Sequence, residues 1–270
     1  PNITQSGIQA IRDSLELVWS DEFGKEGDPK KPLKTTNDQS GEAIDKDAQW
    51  IHETSAMHRN GQQQVYADND GENSWTEDGK LVIEARREKR TVGSTTFDYT
   101  SDAVRSSYIT EDGRATHKAF RFGMIEARIK IPNGQNNNES ATSLGMWNGF
   151  WTVGMHDVLT DDVNESYWPY DGELDIMESW TDSSVTGCNA AHMAYHHAYN
   201  RKEDNQGYHH VANTAATFET GSQTKGSQIG DAGYHTYGVY YTPTQLVWYV
   251  DDVILKVYDI TADEYYALRE

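Results

Sequence analysis

A chain of 270 residues is long enough for one large β-sandwich or barrel with a sizeable core, and a single domain over residues 1–270 is the default expectation. The formal charge of -20, from 43 acidic against 23 basic side chains, sets up a field that repels nucleic acid and anionic lipid, so neither is an expected partner. The lone Cys188 excludes an internal disulfide and leaves stability to the core, where it reads as a small buried hydrophobe.

Abundant Trp, Tyr and Gly with few long Ala/Leu/Glu/Lys runs favour strands and turns, hence an all-β fold. In chain order, Ile8, Ile11 and Leu15 stand at helical spacing and predict one short helix. Leu15 to Trp19 alternates loosely and predicts a strand, and residues 24–49, dominated by Lys, Asp, Gly and Pro, predict a long surface loop. Asp78-Gly79 is an entry turn for a half-buried strand with Leu81, Ile83 and Ala85 on one face. The clearest strand runs from Met124 to Ile131, with Ile125, Ala127, Ile129 and Ile131 in one row. Near the end, Leu246 to Val250 and Val253 to Val257 flank Asp251-Asp252, a two-residue hairpin loop. No stretch reaches transmembrane length, no charged-then-apolar leader opens the chain, and no internal repeat is present.

The segment from Gly172 to Trp180 places the acids Glu173, Asp175 and Glu178 in an otherwise apolar strand. Strict alternation would send Glu178 to the face of Leu174 and Ile176, where an unpaired carboxylate is costly to bury. A β-bulge around Ile176-Met177 turns Glu178 back beside the other two acids and keeps Leu174 and Ile176 in the core. With one residue absorbed, four strand steps put the two Glu α-carbons roughly 13 Å apart, and inward-leaning side chains then approach each other. Carboxyl groups about 5–5.5 Å apart suit a retaining glycosidase, in which one acid attacks the anomeric carbon and the other protonates the leaving oxygen. Three close carboxylates cannot all ionise freely, so one keeps its proton to higher pH. On residue types alone, an exposed acidic face remains the alternative, and a calcium loop does not fit a strand.

Gly172-Glu173-Leu174-Asp175-Ile176-Met177-Glu178 resembles the active-site signature of glycoside hydrolase family 16, in its bulged Glu-x-Asp-x-x-Glu form. Leu17 to Phe23, Phe122 to Lys130, Gly145 to Trp151 and His235 to Val239 are similar to flanking segments of the same family, in the same order. The resemblance implies a β-jelly roll of two curved antiparallel sheets with a concave substrate cleft, and retaining endo-hydrolysis without an organic cofactor. It also implies roles: Glu173 as nucleophile, Asp175 as its hydrogen-bonding assistant, Glu178 as general acid and then base. His192 and His196 correspond to a His-x-x-x-His strand of the laminarinase-like branch, with His196 beside the acids. As a zinc site that pair lacks a third ligand at recognisable spacing. Trp147, Trp151 and Trp168 match cleft positions, and Trp180 is a further candidate wall, since sugar rings stack on indoles. Any one of these tryptophans, Trp151 above all, can equally be core.

Asn148-Gly149 stands where Pro-Ala is common in bacterial laminarinases, and Gln62 to Tyr66 replaces a more usual Asn-Glu-Leu-Gln-Tyr run. These departures leave the substrate open between a β-1,3-glucan of laminarin type, which is the leading expectation, a mixed-linkage glucan and a marine galactan. A noncatalytic glycan-binding module on the same fold is the alternative from another class, and transglycosylation shares the same covalent intermediate. The family's usual last strand is not found before Glu270. Its common calcium site would use Glu22 and that strand, which makes Glu22 a candidate ligand of a structural calcium. A polymer substrate implies an extracellular or periplasmic location and a secreted protein.

Overall fold

Strand and turn dominate, in keeping with the aromatic and glycine content. The computed structural model describes residues 7–35, 48–53, 61–66, 72–106, 108–109, 115–116, 118–131, 145–154, 172–180, 192–196 and 233–260. The chain divides into two compact units, one made of residues 1–16 and 120–270 and the other of residues 17–119.

The second unit carries short strands: β1 (Lys31–Pro32), β2 (Trp50–His52), β3 (Gln64–Tyr66), β4 (Ser74–Glu77), β5 (Lys80–Ile83), β6 (Arg90–Val92), β7 (Thr95–Phe97), β8 (Tyr99–Ser101), β9 (Val104–Ser106), β10 (Tyr108–Ile109) and β11 (Ala115–Thr116). They pair in small sheets, of which β1-β4-β5 is the largest among the described residues. The expected Asp78-Gly79 turn joins β4 to β5, both residues at positive φ. Side-chain hydrogen bonds replace much of an apolar core here. Buried Asn73 donates to the Glu84 carbonyl at 2.9 Å and to Thr100 Oγ1 at 3.0 Å, and Ser74 donates to buried Asp102, which also meets His52 Nδ1 at 2.8 Å.

Three expectations fail between residues 15 and 85. Residues 15–19 form no strand, and Leu17 and Val18 are exposed; loose apolar alternation does not supply a partner strand, and none pairs with them among the described residues. The face of Leu81, Ile83 and Ala85 is not the half-buried one expected, because Ile83 and Ala85 lie open to solvent on a short three-stranded sheet. The predicted loop over 24–49 contains β1.

The first unit holds the helix α1 (Gly7–Ser14) and the strands β12 (Gly123–Ile129), β13 (Trp147–Val153), β14 (Glu173–Trp180), β15 (His192–His196), β16 (His235–Tyr241), β17 (Gln245–Val250) and β18 (Val253–Asp259). Its strands form two antiparallel sheets, β12-β16-β17-β18 and β13-β14-β15. One core joins them: Leu174, Ile176 and Met177 of β14 and Met193 and Tyr195 of β15 pack with Tyr237, Val239, Leu246, Trp248 and Val250 of β16 and β17. The expected β12 row is confirmed, with Ile131 buried and Ile125 and Ile129 against the same core. The β17–β18 hairpin is also as expected, Asp251 and Asp252 both adopting the positive φ that a type I′ turn requires.

The outer face of β17 carries the alternate residues Val247 and Tyr249, and α1 covers them with the fully buried Ile8. Arg12 ties the helix down through Glu126 at 2.9 Å and Asp252 at 2.6 Å, while Tyr249 donates its hydroxyl to Glu126 at 2.7 Å. Opposite Tyr249 on β16 stands Gly238, and a Cβ there would lie 2.2 Å from the Tyr249 ring. The ring lies across a strand position that only glycine leaves open. Among the described residues, no helix is long and apolar enough to cross a membrane.

Gly238→Ala should therefore displace the Tyr249 ring and lower stability by about 1–3 kcal/mol, the usual cost of overpacking. Tyr249→Phe, which keeps the ring and loses one partly buried hydrogen bond, should cost about 0.5–1.5 kcal/mol. Urea unfolding of the two variants beside the parent checks both the size and the order.

Candidate active site

Everything at the site follows from one irregularity in β14. Against β13, Phe150 pairs with Met177 and Trp151 with Asp175, so the pairing skips Ile176. Against β15, Asp175 pairs with Ala194 and Glu178 with His192, so Met193 faces both Ile176 and Met177. The bulge expected from the acid spacing is there, at Ile176–Met177. Leu174, Ile176 and Met177 are all buried in the core, while Glu173 and Glu178 are half-buried. A strand with apolar residues at 174, 176 and 177 and acids at 173, 175 and 178 satisfies both faces only with this extra residue.

The structure brings four of the expected site residues into direct contact in two pairs. His196, the cross-strand partner of Glu173, places Nε2 3.0 Å from Oδ2 of the buried Asp175. Trp147 donates its indole N–H to Glu178 Oε1 at 2.8 Å. Trp151 pairs with Asp175 across β13–β14, and with 43% of its surface exposed it is not core; Trp147 is similarly open at 46%. Between them Gly149 faces Glu178, and a Cβ there would come within 3.2 Å of the Trp151 ring. The glycine that departs from the common Ala thus leaves room for an indole to lie along the strand. Trp180 ends β14 opposite Trp147. Trp168 lies outside the described residues.

Burial, hydrogen bonding and charge together raise the proton affinities of Glu178 and His196. Glu178 is raised above the ordinary carboxylate range, first by burial and then by repulsion from Asp175, while the hydrogen bond from Trp147 and the nearby His196 pull it down. His196 is raised as well, chiefly by its hydrogen bond to Asp175 and further by the charges of Asp175, Glu173 and Glu178, against the opposing effect of burial. A carboxyl that keeps its proton above the ordinary range is what acid catalysis requires.

Glu173, Asp175 and His196 each offer one ligand atom, all within 4.8 Å of one another, and form the group among the described residues that could hold a metal ion. His192 is not in that group, so the set is His196 with two carboxylates and not the histidine pair. Glu22 is exposed, and among the described residues it joins no group of three metal-ligating side chains; calcium there would draw on backbone carbonyls or on other residues.

The model of glycosyl hydrolases family 16 matches residues 61–267, well over half of the chain. The chain belongs to glycosyl hydrolases family 16. Family relatives include a β-glucanase of Rhodothermus marinus, 27% identical over 88% of this chain and 63% of its own length. A glucan endo-1,3-β-glucosidase of Cryptopygus antarcticus is 27% identical over 72% of this chain and 57% of its own length. The chain therefore spans about three fifths of these curated relatives. Among solved structures, LamA of Zobellia galactanivorans, in complex with laminaritriose and laminaritetraose, superposes with a TM-score of 0.62 at 23% identity, over 93% of this chain and 84% of that one. The laminarinase catalytic domain of Thermotoga maritima gives 0.57 at 22%, over 90% and 77%. These likenesses show the all-β fold of the family-16 enzymes, as the sequence led us to expect.

Two contacts of this family-16 site were not foreseen. Trp147 is expected only as a sugar-stacking wall, yet its N–H is spent on Glu178. Trp248 carries no expected role, yet its N–H reaches the carbonyl of Asp175 at 3.1 Å from the core side. The sequence placed it only in a hairpin strand; which backbone group it would meet on the opposite sheet is tertiary information.

Trp147→Phe removes a donor that stabilises the Glu178 carboxylate, so the Glu178 titration should move to higher pH. Asp175→Asn removes the charge that repels the Glu178 carboxylate and favours protonated His196, so both groups should titrate lower. Carboxyl and imidazole NMR titrations of the three proteins measure each shift without relying on activity.

Proposed function

We propose that this chain is a retaining endo-glycosidase that cleaves β-1,3-glucan of laminarin type. The observation that carries the reading is the β14 bulge, which sets Glu178 on the same side as Glu173 and Asp175, flanked by the exposed indoles of Trp147 and Trp151. Indoles of this kind suit the apolar faces of glucose rings, and the net charge of -20 suits a neutral polymer better than a sulfated one. The relatives described as glucanases and the laminari-oligosaccharides bound to LamA support the same substrate class.

In the first step Glu173, ionised, attacks the anomeric carbon while Glu178 passes its proton to the departing glycosidic oxygen, leaving a glycosyl ester on Glu173. The elevated proton affinity of Glu178 supports the donor role. In the second step Glu178, now a carboxylate, takes a proton from water as its oxygen attacks the same carbon, and Glu173 leaves unchanged. Asp175, with an oxygen within 4.8 Å of one of Glu173 and hydrogen-bonded to His196, assists the nucleophile and raises the proton affinity of Glu178 by repulsion. The chemistry calls for no organic cofactor, and a polymeric substrate supports an extracellular or periplasmic location.

Reducing-end release with product sizing on laminarin, mixed-linkage glucan, agarose and carrageenan tests the substrate. Laminarin should yield short oligosaccharides; activity confined to a galactan would keep the mechanism and overturn the substrate. Glu173→Ala should lower turnover on the order of 10⁴-fold, as loss of a nucleophile does in other covalent mechanisms, with recovery in azide as a glycosyl azide. Activity in the parent should fall on the basic side as Glu178 loses its proton, above the ordinary glutamate range near ~4.3. Binding of laminari-oligosaccharides without any new reducing ends would identify a noncatalytic module.

A further inference from the structure

The bulge in β14 interrupts the pairing of the three-stranded sheet on both sides. Inserting one residue breaks the regular ladder, and backbone groups at the break must find other partners or remain unsatisfied in an apolar interior. The residue ahead of the break is Asp175, buried, with Ile176 and Met177 buried behind it. Its carbonyl accepts the indole N–H of Trp248, a residue of β17 in the other sheet, at 3.1 Å. Trp248 is itself 2% exposed, so its only polar atom is spent inside the core on this one backbone group.

The arrangement on the far side fits the purpose. Opposite Trp248 and Tyr249, β18 has an extra residue of its own: Trp248 pairs with Lys256 and Tyr249 with Ile254, and Leu255 packs against the shared core. A break in the β17–β18 pairing therefore stands at the residue that reaches across to the break in β14. Asp175 is the residue whose side chain holds His196, and Glu178, three positions on, owes its face to the same bulge.

We propose that Trp248 is a positioning residue for the reaction: its N–H, acting through the Asp175 carbonyl, holds the register in which Glu178 lies beside Glu173 and Asp175. It touches no substrate. The inference rests on the roles proposed above for the three acids, and it adds a residue that lies on the opposite sheet and 73 positions away. Among the described residues, Trp147 of β13, His196 of β15 and Asp175 of β14 act on Glu178 and His192 is its cross-strand pair, so a slipped bulge changes the neighbours of Glu178 from both sides.

Trp248→Phe keeps an aromatic ring in the core and removes the donor. Replacement of Trp248 by its benzothienyl analogue, in which sulfur takes the place of N–H, removes the donor with the ring volume unchanged and serves if the phenylalanine variant does not fold. Leu246→Ala, two residues along on the same inward face and with no hydrogen bond to β14, controls for lost stability. At a temperature where all three are folded, the donor-less variants should lose kcat by about tenfold to a hundredfold, the scale of a small misplacement of a catalytic group. Their KM should stay within about twofold of the parent, the behaviour of an interaction made in the transition state, and the basic limb of the pH profile should move with the altered surroundings of Glu178. Leu246→Ala should lower Tm and leave kcat and the limb in place. A lower Tm with kcat and limb unchanged in the donor-less variants would overturn the positioning role while leaving the acids' roles intact. A parent that cuts no glycan, or whose turnover survives Glu173→Ala, would overturn the reading of the acids and the positioning role with it.

Discussion

A strand that must show three carboxylates to one side and three apolar side chains to the other, within six consecutive positions, cannot be a regular strand. The period-two geometry of a pleated strand gives each face every second residue, and the order acid, apolar, acid, apolar, apolar, acid breaks that period once. The extra residue at Ile176–Met177 is the cheapest resolution, because the alternative buries Glu178 among Leu174, Met193 and Trp248 or exposes Met177. The two-sheet core, the pairing of β13 and β15 around β14, and the meeting of Glu178 with Trp147 all presuppose this break.

The same break organises the electrostatics. Asp175 is buried where its charge acts strongly on both neighbours, favouring the proton on His196 through a direct hydrogen bond and on Glu178 through repulsion. Trp147 and His196 oppose that effect at Glu178, so its proton affinity is a balance between burial and like charge on one side and one hydrogen bond and one imidazole on the other. A site built this way is tuned by neighbours that never touch the reacting bond.

How much of this was legible in the sequence depends on whether the deciding physics was local. The bulge was legible because the cost of burying a carboxylate is large and the six residues contain the whole conflict. The α1 helix and the β17–β18 turn were legible for the same reason, through Ile8 with its helical spacing and through Asp251-Asp252. Residues 15–19 misled because a strand exists only with a partner, and alternation says nothing about where a partner is. The open face of Ile83 misled because burial depends on what packs above the sheet. The donor roles of Trp147 and Trp248 were hidden, since an indole in a strand declares which face it is on but not which acceptor waits there. Gly149 was read as a departure, and only the ring of Trp151 lying over it gives the residue a physical meaning.

The helix α1 belongs to the unit that otherwise begins at residue 120, and Arg12 closes an ion pair with Asp252 across 240 positions of sequence. During synthesis the helix therefore emerges before the rest of its unit and finds its docking face late. The whole 17–119 unit, then β12, then the sheet that bears the acids leave the ribosome before β17 offers Val247 and Tyr249 to Ile8. Contacts so distant along the chain are slow to form, and until they do the outer face of β17 is an open apolar strip of the kind that invites association. The eight-residue helix thus waits for the far end of its unit, and nascent chains that end before Asp252 lack the ion pair that fastens it.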